Sequence, residues 1–202
     1  MNISNSIAGD VACWPVYPVD GETGQARAFA IAAEAPADIA AREALLARAM
    51  GPRWKKKSSH RLRRGRLPSQ GLAFVARDAS GVLVGTVRLW DVVAGENGPA
   101  ALLLGPLAVD PSLKSAGVGS ALMRHAIAEA RRLGHKAILL VGDAPYYARF
   151  GFAADKTSRL AMPGPYERHR FLAMELAEGA LDGARGVLKP AGRKSETERK
   201  AA

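Results

Sequence analysis

The stretch from Leu102 to Leu133 constrains the fold most, because it holds a strand, a glycine-containing loop and a long helix in direct succession. Residues 100–109 are almost continuously apolar, which is typical of a strand covered on both faces. Gly105-Pro106 interrupts this strand. Since proline has no N–H to give to a ladder, the interruption predicts a bulge or a local splay in a central strand.

The helix is predicted to begin at Val118. Apolar side chains fall on one stripe of it, at Val118, Leu122, Ala126, Ala130 and Leu133. The first N–H groups of a helix have no internal partners, and glycines at 117 and 119 remove side chains that would keep a ligand off the backbone. Residues 114–119 therefore predict a concave set of donors suited to phosphate oxygens.

Three known phosphate-binding arrangements compete for this loop. A nucleoside-triphosphate P-loop ends in Gly-Lys-Ser/Thr, and the chain has Gly119-Ser120-Ala121 there, which excludes that use. A dinucleotide-binding fold needs a third glycine where Leu122 stands, and a loop shorter than the seven residues between Val109 and Gly117. Asp143 lies roughly where a ribose-binding acid belongs, so this second use stays open.

The third arrangement matches two separate motifs. The run LAVDPSLKSAGVGSALM, residues 107–123, resembles the acetyl-coenzyme A motif R/Q-x-x-G-x-G/A of the GNAT acetyltransferase superfamily, with Lys114 in place of the usual Arg or Gln. The segment YARFGF, residues 147–152, resembles the family's Y-x-x-x-G-F and follows the next predicted strand. The resemblance covers roughly residues 71–176 and is closest to small bacterial members of unassigned substrate.

This resemblance implies an N-acetyltransferase that moves an acetyl group from acetyl-CoA, its co-substrate, directly to a primary amine of a small molecule, peptide or protein. The residues that it assigns to acetyl-CoA are Leu107, Ala108, Val109, Lys114, Ser115, Ala116, Gly117, Val118, Gly119 and Ser120. Tyr147 matches the family's general acid, and a phenol of pKa about 10 is protonated at pH 7 and can donate. Its neighbour Tyr146 points another way, so one of the two is expected to pack.

The general base has no obvious candidate. Many family members carry a Glu on the central strand, and residues 100–104 have none. Asp91 falls in register with apolar residues of its strand and is the predicted catalytic base, although a solvated strand-end aspartate is the plainer interpretation. His125 is interpreted as structural. Water or a weakly basic acceptor would also serve.

Composition limits the other classes of function. The single cysteine, Cys13, excludes an intrachain disulfide, and no metal-ligand cluster is visible. No Lys or Arg precedes Arg27, and no apolar run reaches the roughly 20 residues of a membrane span, so we expect neither a secretory signal nor a membrane segment. The chain is expected to be cytoplasmic, without a metal, and a monomer or homodimer.

The net charge of +10 is concentrated in residues 53–66, which hold eight Lys or Arg and no acid. They show no periodicity and are predicted to be a solvated loop. The alternative function is therefore a nucleic-acid-binding protein that uses residues 53–66 and keeps a vestigial or regulatory CoA site. Because Trp54 is the one aromatic residue available for stacking, we expect only weak, salt-sensitive binding.

The predicted organisation is a flexible leader over residues 1–22, an α/β domain over 23–176 with a basic loop at 51–70, and a disordered tail over 177–202. Within the domain the predicted order is β-α-(loop)-β-β-β-α-β-α-β-β, a mixed sheet with helices on its faces. This order resembles the GNAT fold with a splayed central strand pair. One of the usual N-terminal helices is replaced by, or hidden in, the basic loop.

Overall fold

The structure is a computed structural model that describes residues 16–17, 28–52 and 54–195. The strands are β1 (Val16–Tyr17), β2 (Phe29–Ala33), β3 (Ala73–Asp78), β4 (Leu83–Val93), β5 (Ala100–Val109), β6 (Ala137–Val141), β7 (Leu160–Ala161), β8 (Phe171–Glu175), β9 (Gly186–Val187) and β10 (Lys189–Pro190). The α-helices are α1 (Ile39–Met50), α2 (Ser58–Arg61), α3 (Val118–Arg132) and α4 (Ala144–Ala148). Most of the predicted leader lies outside the described residues.

One mixed sheet carries the fold. Its strand order is β1-β2-β3-β4-β5-β6-β8, and β10 pairs with the free part of β4. Only the β5–β6 pair of this sheet is parallel among the described strands, and α3 makes the crossover that a parallel pair requires. The predicted α/β class, with a mixed sheet and helices on its faces, is confirmed.

Strand β5 is covered on both faces, as its apolar run predicted. On one face, α3 packs its stripe against β3, β4 and β5, and Val118, Leu122, Ala126 and Ala130 are each at most 2% exposed. Burying a side chain of leucine size stabilises the fold by about 1.5–3 kcal/mol. The stripe stops short of Leu133, which is 40% exposed, because the helix ends at Arg132 and Gly134 turns left-handed at φ 81°.

The basic segment is not the solvated loop that the sequence predicted. Residues 54–56 form a turn of 3-10 helix, and α2 follows at once. Trp54 packs with Leu46 and Ala108, and Leu62 is buried in the cluster on the other face of β5. Two apolar side chains thus fasten the segment to the sheet, while most of its lysines and arginines stay exposed. A helix of four residues, α2, therefore lies within the basic run.

Residues 177–195 are ordered, so the predicted disordered tail is wrong over this range. Leu181, Ala184 and Leu188 are buried in the same cluster as Leu62. The backbone also pairs with the basic segment, since Leu67 N–H donates to the carbonyl of Arg193 at 2.8 Å. Small and charged residues suggested disorder, but a few spaced apolar side chains are enough to dock the segment.

Within the described ranges 28–52 and 54–195, none of the helices combines the length and apolar character needed to cross a bilayer.

Candidate active site

The two central strands part where the sequence predicted a splay. β5 and β6 are paired only at Leu102–Ile138 and Leu103–Leu139, although both strands continue beyond these pairs. On its other edge, β5 has an extra residue relative to β4, because Leu104 faces Leu89 whereas Leu107 faces Val87. The bulge therefore lies at Gly105-Pro106 and is held by Trp90, whose Nε1–H donates to the carbonyl of Gly105 at 2.6 Å.

The register also shows which backbone groups face the splay. Asp110 N–H donates to the carbonyl of Val84 at 2.8 Å, so these two residues form a hydrogen-bonded pair. Bonded and non-bonded pairs alternate along an antiparallel ladder, so the backbone groups of Ala108 also bond to β4. The N–H groups of Leu107 and Val109 therefore point the other way, toward β6. Because β6 has separated from β5 at this level, those two N–H groups face the opening.

Ala108 is a correction to the predicted set of three donors. Its backbone belongs to the β4 ladder by register, and its side chain is buried against Leu46 and Trp54. The sequence placed residues 107–109 at the site as a block, but a strand offers only alternate residues to one edge.

The predicted phosphate loop lies at the end of β5 and runs into α3. Asp110 holds its start, since its carboxylate accepts from the N–H and Oγ of Ser112 at 3.1 and 2.9 Å. The bond from the Ser112 N–H makes the largest contribution to lowering the pKa of Asp110. The Arg48 guanidinium and the Ser112 hydroxyl lower this pKa further. Ser115 and Gly117 have left-handed φ values of 70° and 76°. For a non-glycine residue this conformation costs about 1–3 kcal/mol and is concentrated at functional sites.

The loop and the helix start therefore offer donors together. Left-handed residues turn successive backbone N–H groups toward one side and form an anion-binding concavity. The N–H groups of residues 118–120 lie in the first turn of α3, where the helix supplies no acceptor and the dipole is positive. Lys114 is exposed beside them. The structure thus brings the predicted residues 114–120 into one place.

Tyr147 lines a cavity in the splay, which we call the splay cavity. The other residues that line it are Met50, Trp54, Lys57, Ser59, Arg63, Leu104, Gly105, Pro106, Leu107, Leu140 and Val141. Burial, with a smaller contribution from Tyr146, raises the pKa of Tyr147 to about 12. The hydroxyl is therefore protonated at neutral pH and can donate a proton into the splay.

Tyr146 points elsewhere, toward the start of α3. Its hydroxyl lies 3.0 Å from the position that a Cβ on Gly119 would take, and the Arg149 guanidinium lies 4.3 Å from its ring centroid. The two neighbouring tyrosines thus serve different parts of the site, one at the strand opening and the other beside the phosphate loop.

A second cavity, of 160 Å³, adjoins the bulge at Pro106, and we call it the basic cavity. It is lined by Glu43, Leu46, Trp54, Lys55, His60, Arg63, Arg88, Trp90 and Pro106. Trp54, Arg63 and Pro106 line both cavities, so the two meet at the bulge. Residues of α2 entered the sequence prediction only through the alternative nucleic-acid site at 53–66, and not as part of an acetyl-transfer site. The signal for a docked segment is the pair Trp54 and Leu62, apolar residues that would fasten a basic run to the core.

This setting favours the neutral form of the His60 imidazole. Burial lowers its pKa first, and the positive charges of Arg63 and Lys55 lower it further. The ring also packs edge-on against Trp54, with 5.8 Å between centroids. An unprotonated imidazole at the wall of a cavity can accept a proton.

Asp91 and His125 lie apart from this pair of cavities. The backbone carbonyl of Asp91 accepts from Ala191 and Gly192 near β10, and Asp91 lines neither cavity. His125 packs edge-on against Phe74 at 4.6 Å, and burial lowers its pKa, which fits the structural interpretation. The part of the chain that the structure describes has no group of three or more His, Cys, Asp or Glu placed to hold a metal ion.

Sequence comparison points to one family. Residues 39–152 match the Acetyltransferase (GNAT) family. The uncharacterized N-acetyltransferase YhbS of Escherichia coli (strain K12) is 32% identical over 162 residues, which cover 79% of this chain and 94% of YhbS. The uncharacterized N-acetyltransferase YjhQ of the same strain is 38% identical over 78 residues, which cover 36% of this chain and 41% of YjhQ.

Solved structures agree with the sequence comparison. The crystal structure of E. coli YhbS in complex with CoA has a TM-score of 0.70 and 30% identity, and the match covers 85% of this chain and 94% of that one. A GNAT family acetyltransferase from Brucella melitensis in complex with acetyl-CoA has a TM-score of 0.61 and 25% identity, with 81% and 96% coverage.

The chain therefore belongs to the GNAT acetyltransferase family, as its two motifs predicted. It is accordingly an acyltransferase with acetyl-CoA as co-substrate. These relatives give no support to the nucleic-acid-binding alternative.

Proposed function

We propose that this protein transfers the acetyl group of acetyl-CoA to the nitrogen of a primary amine by direct attack, with Tyr147 as general acid. One observation carries the proposal. Tyr147, whose hydroxyl stays protonated at neutral pH, lines a cavity that residues 104–107 of the bulged strand also line. An acid for the leaving group and backbone donors for the carbonyl oxygen thus face one space.

We assign two parts of acetyl-CoA to the described residues. The concave loop at 114–117 and the first turn of α3 would take the pyrophosphate, since they present N–H groups and no bulky side chain at Gly117 and Gly119. The opening between β5 and β6 would take the pantetheine, where the N–H groups of Leu107 and Val109 have no strand partner by register. The YhbS and Brucella melitensis structures, which contain CoA and acetyl-CoA, support the choice of ligand.

The reaction follows from that placement. The amine nitrogen forms a bond to the thioester carbon, and negative charge develops on the carbonyl oxygen, where backbone N–H groups at the bulge stabilise it. The C–S bond then breaks, and the sulfur takes the proton of the Tyr147 hydroxyl. The nitrogen loses one proton to a base, and tyrosine regains one from solvent before the next cycle.

The amine must be neutral when it attacks. An amine of pKa about 10.4 is neutral about once in 10³ at pH 7, which costs about 4–5 kcal/mol unless something offsets it. The basic cavity offers two contributions. Its positive charges disfavour a bound ammonium, and neutral His60 can accept the proton. His60 is therefore our candidate base, and Asp91 stays a prediction to which the structure adds no contact with either cavity.

The test is an acetylation assay with a pooled library of small amines and peptides. The protein and acetyl-CoA are incubated with the pool, free CoA is measured, and products are identified by mass spectrometry. We expect CoA release that depends on the amine, with N-acetylated products and a loss of at least about 100-fold in Tyr147→Phe. Release of CoA without any acetylated product would contradict the proposal.

A further inference from the structure

Arg63 stands out among the charged side chains of the basic cavity. It is 7% exposed, yet no carboxylate of the residues that the structure describes forms an ion pair with it. Its neighbours in the cavity are matched, since Arg88 binds Glu34, and Lys55 binds Glu43 at 3.2 Å. Arg63 is therefore a buried positive charge without a negative partner.

The geometry shows where its free donors point. Nε donates to the carbonyl of Ser59 at 3.1 Å, and Nη2 donates to the Oγ of Ser59 at 3.2 Å. Nη1 lies 3.8 Å from the position that a Cβ on Gly105 would take, so it faces the bulge. Burial, together with the charge of Arg88, lowers the pKa of Arg63 to about 10, and the group remains charged at neutral pH.

An unpaired buried guanidinium is costly, because it has lost water and gained no counter-charge. A bound anion would remove this cost. The anion would sit where Arg63 borders both cavities, next to the proposed site of acetyl transfer. Glu43 also lines the basic cavity, but its carboxylate is already paired with Arg42 and Lys55.

We propose that Arg63 binds the carboxylate of the acceptor, and that the acceptor is a small amino acid. This inference rests on the proposed function. The basic cavity, at 160 Å³, suits a small molecule, and the rings of Trp54 and Trp90 give an apolar wall for its side chain. One unmatched positive charge suits a carboxylate better than a phosphate dianion. In an α-amino acid the amine and carboxylate share one carbon, so pairing at Nη1 holds the amine beside the bulge.

The first arm of the test uses the wild-type protein. Acetyl-CoA turnover is measured with the twenty amino acids, with their amides and with the matching decarboxylated amines. We expect the best amino acid to exceed its own amide and decarboxylated amine in kcat/KM by at least about tenfold, the size expected of a charge-assisted hydrogen bond. Phosphoethanolamine is included as the phosphate-bearing amine.

The second arm compares Arg63→Met with Arg64→Met, an exposed arginine of the same run. Arg63→Met should bring the amino acid down to the rate of its amide, so that the preference for the carboxylate is lost. Arg64→Met should leave the rates with all three acceptors unchanged. The melting temperature of Arg63→Met should equal or exceed that of the wild type, because the substitution removes an unpaired buried charge.

Several outcomes overturn the inference. The inference fails if amino acids and their amides react at equal rates, if phosphoethanolamine is the preferred acceptor, or if no amino acid is acetylated. An equal loss with every acceptor in Arg63→Met would place Arg63 on acetyl-CoA instead. A lowered melting temperature with that uniform loss would make Arg63 a support for α2 through Ser59. If simple amines are acetylated as fast as amino acids, the proposed function stands and only this inference fails. If acetyl-CoA does not bind, the proposed function fails first.

Discussion

The ring of Tyr147 fills the space beside Gly142 where any other residue would place its Cβ. An added Cβ would lie 2.1 Å from Cε2 of Tyr147 and 2.7 Å from Cδ2. Gly142 directly follows β6, where Tyr147 reaches the splay cavity. The orientation of the proposed general acid thus depends on a residue without a side chain.

Gly142→Ala should displace the Tyr147 ring and lower turnover, because the two positions cannot both be filled. Overpacking of this kind also costs about 1–3 kcal/mol of folding free energy. We expect a lowered melting temperature and a loss of kcat comparable with that of Tyr147→Phe. Wild-type kcat in Gly142→Ala would show that the ring position does not matter to catalysis.

Tyr147→Phe should lower kcat by at least about 100-fold, since it removes only the hydroxyl that donates to the leaving sulfur. Its acetyl-CoA affinity and melting temperature should match the wild type, because the ring and its packing remain. Tyr146→Phe is the matched control and should be much milder. Retained turnover in Tyr147→Phe would mean that the thiolate leaves unassisted or through water.

The pH dependence follows from the pKa of Tyr147. Burial raises this pKa to about 12, so the acid remains protonated through the usual assay range. We expect no loss of kcat from this group as pH rises to about 10. A fall in kcat centred below pH 9 that disappears in Tyr147→Phe would contradict the assignment.

Gly117→Val should abolish the stabilisation that acetyl-CoA gives. Gly117 has a φ of 76°, which a β-branched residue rarely adopts, and its Cβ would intrude on the phosphate loop. At 100 times its Kd, acetyl-CoA should stabilise the wild type by about 2.7 kcal/mol, seen as a raised melting temperature, whereas NAD and ATP should not. A shift with NAD in place of acetyl-CoA would restore the dinucleotide alternative.

His60 and Asp91 can be separated by their effects on the acidic limb of the pH profile. Burial and nearby positive charges lower the pKa of His60 below its ordinary value of 6.5, so its neutral form should support activity that falls below that pH. His60→Gln should lower kcat/KM and remove the fall in activity at acidic pH. Asp91→Asn should keep both the wild-type kcat/KM and that fall. The reverse result would make Asp91 the base, as the sequence predicted.

The same shift of the His60 pKa affects stability. The folded protein binds a proton at His60 less readily than the unfolded chain does, so this group favours folding less as pH falls through 6.5. Its contribution is present above that pH. Any loss of activity below it must therefore be compared with the melting temperature at the same pH.

The sequence predicted the elements that local rules decide. Hydrophobic patterning predicted the apolar run of β5 and the stripe of α3. The missing N–H of proline predicted the interruption at Gly105-Pro106, and the structure has all three features. It could not predict the basic cavity. Arg63 becomes notable only when α2 folds against the bulge, which depends on contacts between distant parts of the chain. Ala108 was misassigned because the register between β4 and β5 decides which N–H groups of β5 point away from β4.

The ordered C-terminal segment can be tested at two adjacent residues. Leu188 is 1% exposed and packs in the cluster with Leu62, whereas Val187 is 46% exposed. Leu188→Ala should cost about 2–5 kcal/mol, because it leaves a cavity in a packed cluster. For a chain of this size that corresponds to a fall in melting temperature of at least about 4 °C, whereas Val187→Ala should stay close to the wild type. Equal melting temperatures for the two variants would mean that the segment does not dock in solution.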